Sequence, residues 1–274
     1  MKFGIFVHPK RPKVSTQQIA THVESAGLEY SADEPDIAIV VGGDGTFAYF
    51  GKLLTLPMLF VGIKEADVLG SKARLAEIML DSLDNALHEI DAGRYRVIEK
   101  RMLSAVLCNQ QSDVLTDVYL ERGEFAGCIR YIVKVNNNNN NGNEQLSFIE
   151  HAIGNGVIIS TSFGSGGYFS YPGRIKSKEW DRYSSIDQFS DDRLGICHIL
   201  PTHLVHEKSS QCSLTDRIQY TVPIESKIEI KLVRQANVRL YGTTEDSKGK
   251  PVMLSDTISI SGSKRIAKII KLKA

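Results

Sequence analysis

The residues best suited to chemistry lie in "GGDGT", Gly42-Gly43-Asp44-Gly45-Thr46, directly behind the apolar run Ile37 to Val41. Glycines between a buried strand and a helix let backbone N–H groups come close to a ligand, and the helix N-terminus beyond them adds partial positive charge. Phosphate is the natural guest. Asp44 complicates this, because a bare carboxylate beside phosphate repels it. Its presence makes sense if a divalent cation neutralises the cluster, or if it faces a hydroxyl of a second substrate. The competing explanation is a tight turn with a helix-capping aspartate. Neither common nucleotide loop is present: Leu53 follows Gly51-Lys52 where Ser or Thr is needed, and no glycine lies three residues beyond Gly45.

A second stretch, Gly154 to Arg174, reads "GNGVIISTSFGSGGYFSYPGR". Its core, Ser160-Thr161-Ser162-Phe163-Gly164-Ser165-Gly166-Gly167-Tyr168, offers hydroxyl and backbone donors beside an aromatic face. Taken alone, such a stretch is an ordinary loop. Cys197, His198, His203 and His206 raise the question of zinc, but Pro201 interrupts them and no second Cys/His pair has ligand spacing, so ordinary histidines are expected. Lys264, Arg265, Lys268, Lys271 and Lys273 interleave with Ile266, Ile269, Ile270 and Leu272, as on the solvated face of a terminal element. Trp180 reads as packing or interface.

These residues must be held by elements that the apolar periodicity reveals. Strands are expected at Phe3 to Val7, Ile37 to Val41 and Met58 to Ile63. Between and after them come three helices. One is capped by Ser15 with Gln18 as its capping-box partner and ends at Gly27; another runs from Phe47 to Leu56; a third runs from Leu75 to Ile90. Strand and helix in alternation argue a parallel sheet. From Arg94 onward the pattern turns to strands, at 96–107, 113–122, 129–135, 146–153, 157–159, 224–234, 238–240 and 257–260, which suits a sandwich. The fold class is therefore an α/β N-terminal domain with a parallel sheet plus an all-β C-terminal domain. The domains expected are 1–97 and 98–249, with 250–274 returning to the first. Asn136 to Asn141 reads as a solvated hairpin loop.

Composition narrows the setting. A net charge of +1 provides no field to attract nucleic acid or an anionic membrane. No apolar run has the length of a membrane span, and the N-terminus has too few apolar residues for a signal-peptide core. The four cysteines lack CxxC spacing and read as free thiols in a reducing, cytoplasmic compartment.

The two motifs in this order, one per domain, resemble the NAD kinase family, whose members carry a GGDGT box and then S-T-P-T-G-S-T-A-Y after a G-D-G turn. Other segments are similar to family segments too: "FGIFVHPKRP", "GRYRVIEKRMLSAVL", "LTDVYLERG", "LGICHILPTHLV" and "DTISISGSKRIAKII". The resemblance implies phosphorylation of the adenosine ribose 2′-hydroxyl of NAD, with ATP or polyphosphate as donor and Mg²⁺ or another divalent cation as cofactor. It also implies homodimers or homotetramers. By the resemblance Asp44 is the catalytic residue, with Gly42, Gly43, Gly45 and Thr46 around the phosphate. Thr116, Asp117, Asn155, Thr161, Phe163, Ser165, Gly167 and Tyr168 match the positions that bind NAD. A carboxylate titrating near its usual value of about 3.9 is a weak base for an alcohol, so Asp44 is expected to orient the hydroxyl more than to deprotonate it.

The chain departs from the family pattern at several points. Thr116 stands for Asn, Asn155 for Asp, Phe163 for Thr and Gly166-Gly167 for Thr-Ala; Tyr241 stands where Asp is common. Gly62-Ile63-Lys64 and Leu69-Gly70-Ser71 stand for G-I-N and L-G-F, losing an aromatic that can stack on adenine. Two alternatives follow: a lipid kinase of the diacylglycerol or sphingosine type, or a non-catalytic nucleotide sensor on the same fold.

Overall fold

The computed structural model describes residues 1–8, 14–63, 73–124, 127–136, 147–174, 189–207, 218–244 and 248–273. The chain forms two compact units, Met1–Lys100 with Ile266–Ala274, and Arg101–Arg265. Two strands, Tyr95–Leu107 and Ile258–Leu272, contribute residues to both.

The first unit is built on a parallel sheet. Ile37–Gly42 lies at its centre, buried at every residue, between Lys2–Val7 and Met58–Gly62. Glu29–Tyr30 extends one side. On the other, Ile269 pairs with Met58, and Ile78–Met79 pairs with Val61 and Gly62. A run such as Ile37-Ala38-Ile39-Val40-Val41 suits this position because helices cover both faces. Helices Thr16–Ser25 and Leu83–Asp91 pack Ile19, Val23, Leu83, Leu87 and Ile90 onto Phe3, Ile37, Ile39 and Leu59. Burying each such Leu or Ile is worth about 1.5–3 kcal/mol. Helix Asp44–Leu53 brings aromatic rings to the strands: Phe47 stacks on Phe60 at 4.6 Å and Phe50 meets Phe6 edge-on at 5.4 Å.

Local signals place some of these elements closely. The capping box is formed, with Gln18 N donating to Ser15 Oγ at 3.1 Å and Ser15 N donating to Gln18 Oε1 at 2.8 Å. Two helices differ from the sequence expectation. The helix after the glycines starts at Asp44 and ends at Leu53, because Gly43 takes the N-cap position itself. The helix expected from Leu75 starts only at Leu83. Ile78 and Met79, which fit its periodicity, are instead strand residues against Val61 and Gly62.

The second unit is a sandwich. One sheet contains His203–Glu207, Ser147–Gly154, Ile129–Asn136, Lys227–Leu232 and the first residues of Ile258–Leu272, all antiparallel. The other runs Gln219–Pro223, Arg193–Ile199, Gly156–Ser160, Asp117–Arg122, Val238–Tyr241 and Lys250–Pro251. Leu103, Val118, Leu120, Tyr131, Val133, Val157, Ile159, Leu194 and Ile196 are among the residues that fill the space between them. The outer face of the second sheet is covered as well, because Ile158, Cys197 and Ile199 pack beneath Phe169, Tyr168 and Tyr171. The single strand expected over 113–122 is two strands, Gln110–Val114 and Asp117–Arg122; the first pairs with Leu103 to Leu107 and the second belongs to the other sheet. The strands Ile129–Asn136 and Ser147–Gly154 pair as hairpin arms, and the asparagine tract from 137 lies outside the described residues. So do Lys64, Leu69, Gly70, Ser71, Trp180 and Cys212. Cys108, Cys128 and Cys197 are free thiols. Among the described residues, no helix is long and apolar enough to cross a membrane.

Candidate active site

In the first unit the glycines sit at the C-terminal edge of the parallel sheet, the usual ligand position in open α/β folds. Gly42 ends its strand in register with Gly62. Gly43 caps the next helix through its carbonyl, which accepts from Thr46 N at 2.9 Å and Phe47 N at 3.2 Å. A Cβ at Gly42 would meet Thr46 Oγ1 at 2.5 Å, so buried Thr46 accounts for that glycine. Gly45 is different: among the described residues, a Cβ there would meet nothing within 4 Å, so none of them gives a packing reason for glycine at position 45.

Asp44 occupies the first helical turn, half-buried, where the helix dipole favours a carboxylate. Its Oδ1 accepts from the backbone N–H of Leu75 at 2.9 Å, and among the described residues Oδ2 makes no hydrogen bond. The N-cap position belongs to Gly43, and the carboxylate's bond goes to another segment rather than to its own helix. The carboxylate is aimed by a loop of the same unit, with one oxygen left over.

In the second unit Thr116, Asp117 and the loop 161–168 come together. Asp117 pairs with Ser160 across two strands. Thr161 N donates to Thr116 O at 2.8 Å, and Thr161 Oγ1 donates to Leu115 O at 2.5 Å and Thr116 O at 3.0 Å. Gly164 N donates to Thr161 Oγ1 at 3.1 Å. Ser165 Oγ donates to Ser162 O at 2.7 Å, and Ser170 Oγ to Gly167 O at 2.8 Å. A Cβ at Gly164 would run into the Thr116 carbonyl oxygen. Gly167 lies close enough to Asp117 that a Cβ there would sit 3.9 Å from its Oδ2. Half-buried Phe163 opens the 3₁₀ turn Phe163–Gly166. The Thr116 hydroxyl is buried and has no hydrogen-bond partner among the described residues.

Asn155 is not brought to this group. It precedes Gly156–Ser160 while Thr161 follows it, so the length of a five-residue strand, about 17 Å, separates them. Tyr119, which neither motif includes, joins Tyr168 and Tyr241 in a cluster. Tyr119 stacks on Tyr241 at 5.0 Å and meets Tyr168 edge-on at 5.3 Å. Burial pushes the Tyr168 phenol up to about 12 and that of Tyr119 higher still, so both rings stay neutral at physiological pH. The signal was present: Tyr119 lies two residues after Asp117, on the same face of its strand.

His198 and His206 do converge, on a residue the zinc question never included. Glu150, fully buried, places Oε2 3.0 Å from His198 Nε2 and Oε1 3.2 Å from His206 Nδ1. Tyr220 donates to Glu150, and Tyr131 Oη lies 2.8 Å from His198 Nδ1. His203 is exposed on the edge strand. Among the described residues, no group of three or more His, Cys, Asp or Glu is placed to hold a metal ion.

No family model matches the chain. It is 26% identical to an NAD kinase of Geobacter sp. strain M21 over 99% of this chain and 84% of that protein. It is 27% identical to an NAD kinase of Magnetococcus marinus over 89% and 71%. Solved structures share the fold at 15% identity. Yeast NADH kinase complexed with NADH gives a TM-score of 0.64 over 100% of this chain and 83% of that one. An NAD kinase from Archaeoglobus fulgidus in complex with ATP gives 0.62 over 100% and 94%.

Proposed function

We propose that the chain is a member of the NAD kinase family and transfers the γ-phosphoryl group of ATP to the adenosine ribose 2′-hydroxyl of NAD, making NADP. The observation that carries this reading is Asp44, held through one oxygen at the sheet edge beside a glycine that no described residue crowds. A pure binder has little use for that carboxylate beside phosphate. The residues after GGDGT do not match the lipid-kinase continuation.

Phosphoryl transfer depends on positioning and charge neutralisation through a loose transition state. In the first unit, the N–H groups around Gly43 and Gly45 and the N-terminus of helix Asp44–Leu53 supply donors and positive potential for phosphate. Asp44 orients the acceptor hydroxyl and takes its proton as the bond to phosphorus forms. In the second unit, Asp117, the loop 161–168 and the Tyr119–Tyr168–Tyr241 cluster hold the dinucleotide. The buried Thr116 hydroxyl is a ready partner for a polar edge of the substrate.

A divalent cation would enter with the donor: Mg²⁺ keeps several waters and is held largely by substrate phosphates, so no ligand from this chain is assigned to it and Asp44 stays with the acceptor hydroxyl. Bound to the donor, the ion would neutralise charge on the phosphates. The family likeness also carries a homodimer or homotetramer and a cytoplasmic location, checked by light scattering and by fractionation of the native host.

The test is NADP formation from NAD, read with an NADP-specific dehydrogenase, using ATP or polyphosphate as donor, with and without EDTA. The reading expects turnover with ATP and Mg²⁺ and none with EDTA. Dinucleotide binding with no turnover from either donor would favour the sensor. Absence of both would return lipid acceptors to first place.

A further inference from the structure

Resting on the role of Asp44 above, we infer that the turn Ala73–Ala76 is a positioning device for phosphoryl transfer. Its Leu75 N–H fixes one oxygen of Asp44 so that the other is presented to the acceptor hydroxyl. In a β-turn the first carbonyl and the fourth N–H satisfy each other, here Ala76 N donating to Ala73 O at 3.1 Å, and the third N–H is left to point outward. That third N–H belongs to Leu75, and Asp44 Oδ1 accepts from it at 2.9 Å.

Three further features show that the turn is held in place. Ala73 has φ of +43°, a conformation that a residue with a Cβ keeps only when its surroundings impose it. The turn lies flat on Gly62, where a Cβ would come within 2.8 Å of Ala73 Cβ and 3.0 Å of Ala76 Cβ. Its far end is tied down through Glu77, whose N–H donates to Phe60 O at 2.9 Å. The Glu77 carboxylate accepts from Leu272 N at 3.0 Å and pairs with Lys271. A strained backbone, a missing side chain beneath it and a bound carboxylate beyond it all serve the placement of one N–H group.

The test replaces Leu75 by its α-hydroxy acid through nonsense suppression, exchanging the N–H for an ester oxygen while the side chain stays. Leu75→Ala, which keeps the N–H, and Asp44→Asn are run alongside. The inference expects the ester variant to lose about tenfold or more in kcat, the usual scale for one hydrogen bond to a charged group. KM for NAD should hold, and the loss of kcat in the ester variant should clearly exceed that in Leu75→Ala. Equal losses in the ester and Leu75→Ala variants would assign Leu75 to packing and overturn the inference. So would full turnover in the ester variant with Asp44→Asn inactive, which leaves the kinase reading intact. An active Asp44→Asn would remove both.

Discussion

The two glycine-rich loops look alike as sequence and use their polar groups in opposite ways. Among the described residues, the carboxylate of Asp44 in Gly42–Thr46 is tied by one oxygen only, and a Cβ at Gly45 would meet nothing within 4 Å. In 161–168 the hydroxyls of Thr161 and Ser165 are bonded to carbonyls of their own loop or of Leu115 and Thr116, and Gly164 is closed over by the Thr116 carbonyl. The first loop exposes chemistry. The second spends its side chains on holding a shape, so what it offers a ligand is backbone, aromatic faces and the Thr116 hydroxyl. Motif residues in the two loops should therefore fail differently when mutated.

The largest expected effect is at Asp44. Asp44→Asn should lower turnover by roughly 10²-fold or more, the scale of a positioned acid–base group, while its thermal unfolding stays that of the wild type. The contrasting carboxylate is Glu150. Removing it strands two histidines and a tyrosine in the core, so Glu150→Ala should cost about 3–5 kcal/mol in urea unfolding. The fraction that remains folded should keep its KM for NAD.

Gly164→Ala comes next. Pushing the loop off the Thr116 carbonyl should cost roughly 1–3 kcal/mol of stability and raise KM for NAD. Gly45→Ala makes the sharpest contrast with it. An added methyl in a helix with open space should gain a few tenths to about 1 kcal/mol in unfolding free energy. Turnover should nonetheless drop by about tenfold or more if phosphate approaches that backbone. Unchanged activity in Gly45→Ala would break the distinction between the loops.

What could be read in the sequence was local or periodic. The Ser15–Gln18 capping box needs only four residues to specify, and the buried run Ile37 to Val41 only its own composition. Non-local competition decided the rest. Leu75, Ile78 and Met79 match a helical stripe, but an open strand edge at Val61–Gly62 and the bond to Asp44 claim that segment. Leu115 and Thr116 read as mid-strand, because nothing local announces that the chain changes sheets there. Ile258–Leu272 is a single strand of 15 residues, and its lysines alternate with buried Ala267 and Ile269 and so read as an amphipathic surface. At the site, GGDGT was legible as a motif. The donor that aims Asp44 lies 31 residues away and is a backbone group, which no residue type can announce.

The most direct test of the central claim is where the phosphate goes. ³¹P NMR of the product from NAD, ATP and Mg²⁺ should show one new phosphomonoester signal, identical to that of authentic NADP and absent with Asp44→Asn. A phosphomonoester at another position, or phosphate released only as inorganic phosphate, would contradict transfer to the adenosine ribose 2′-hydroxyl.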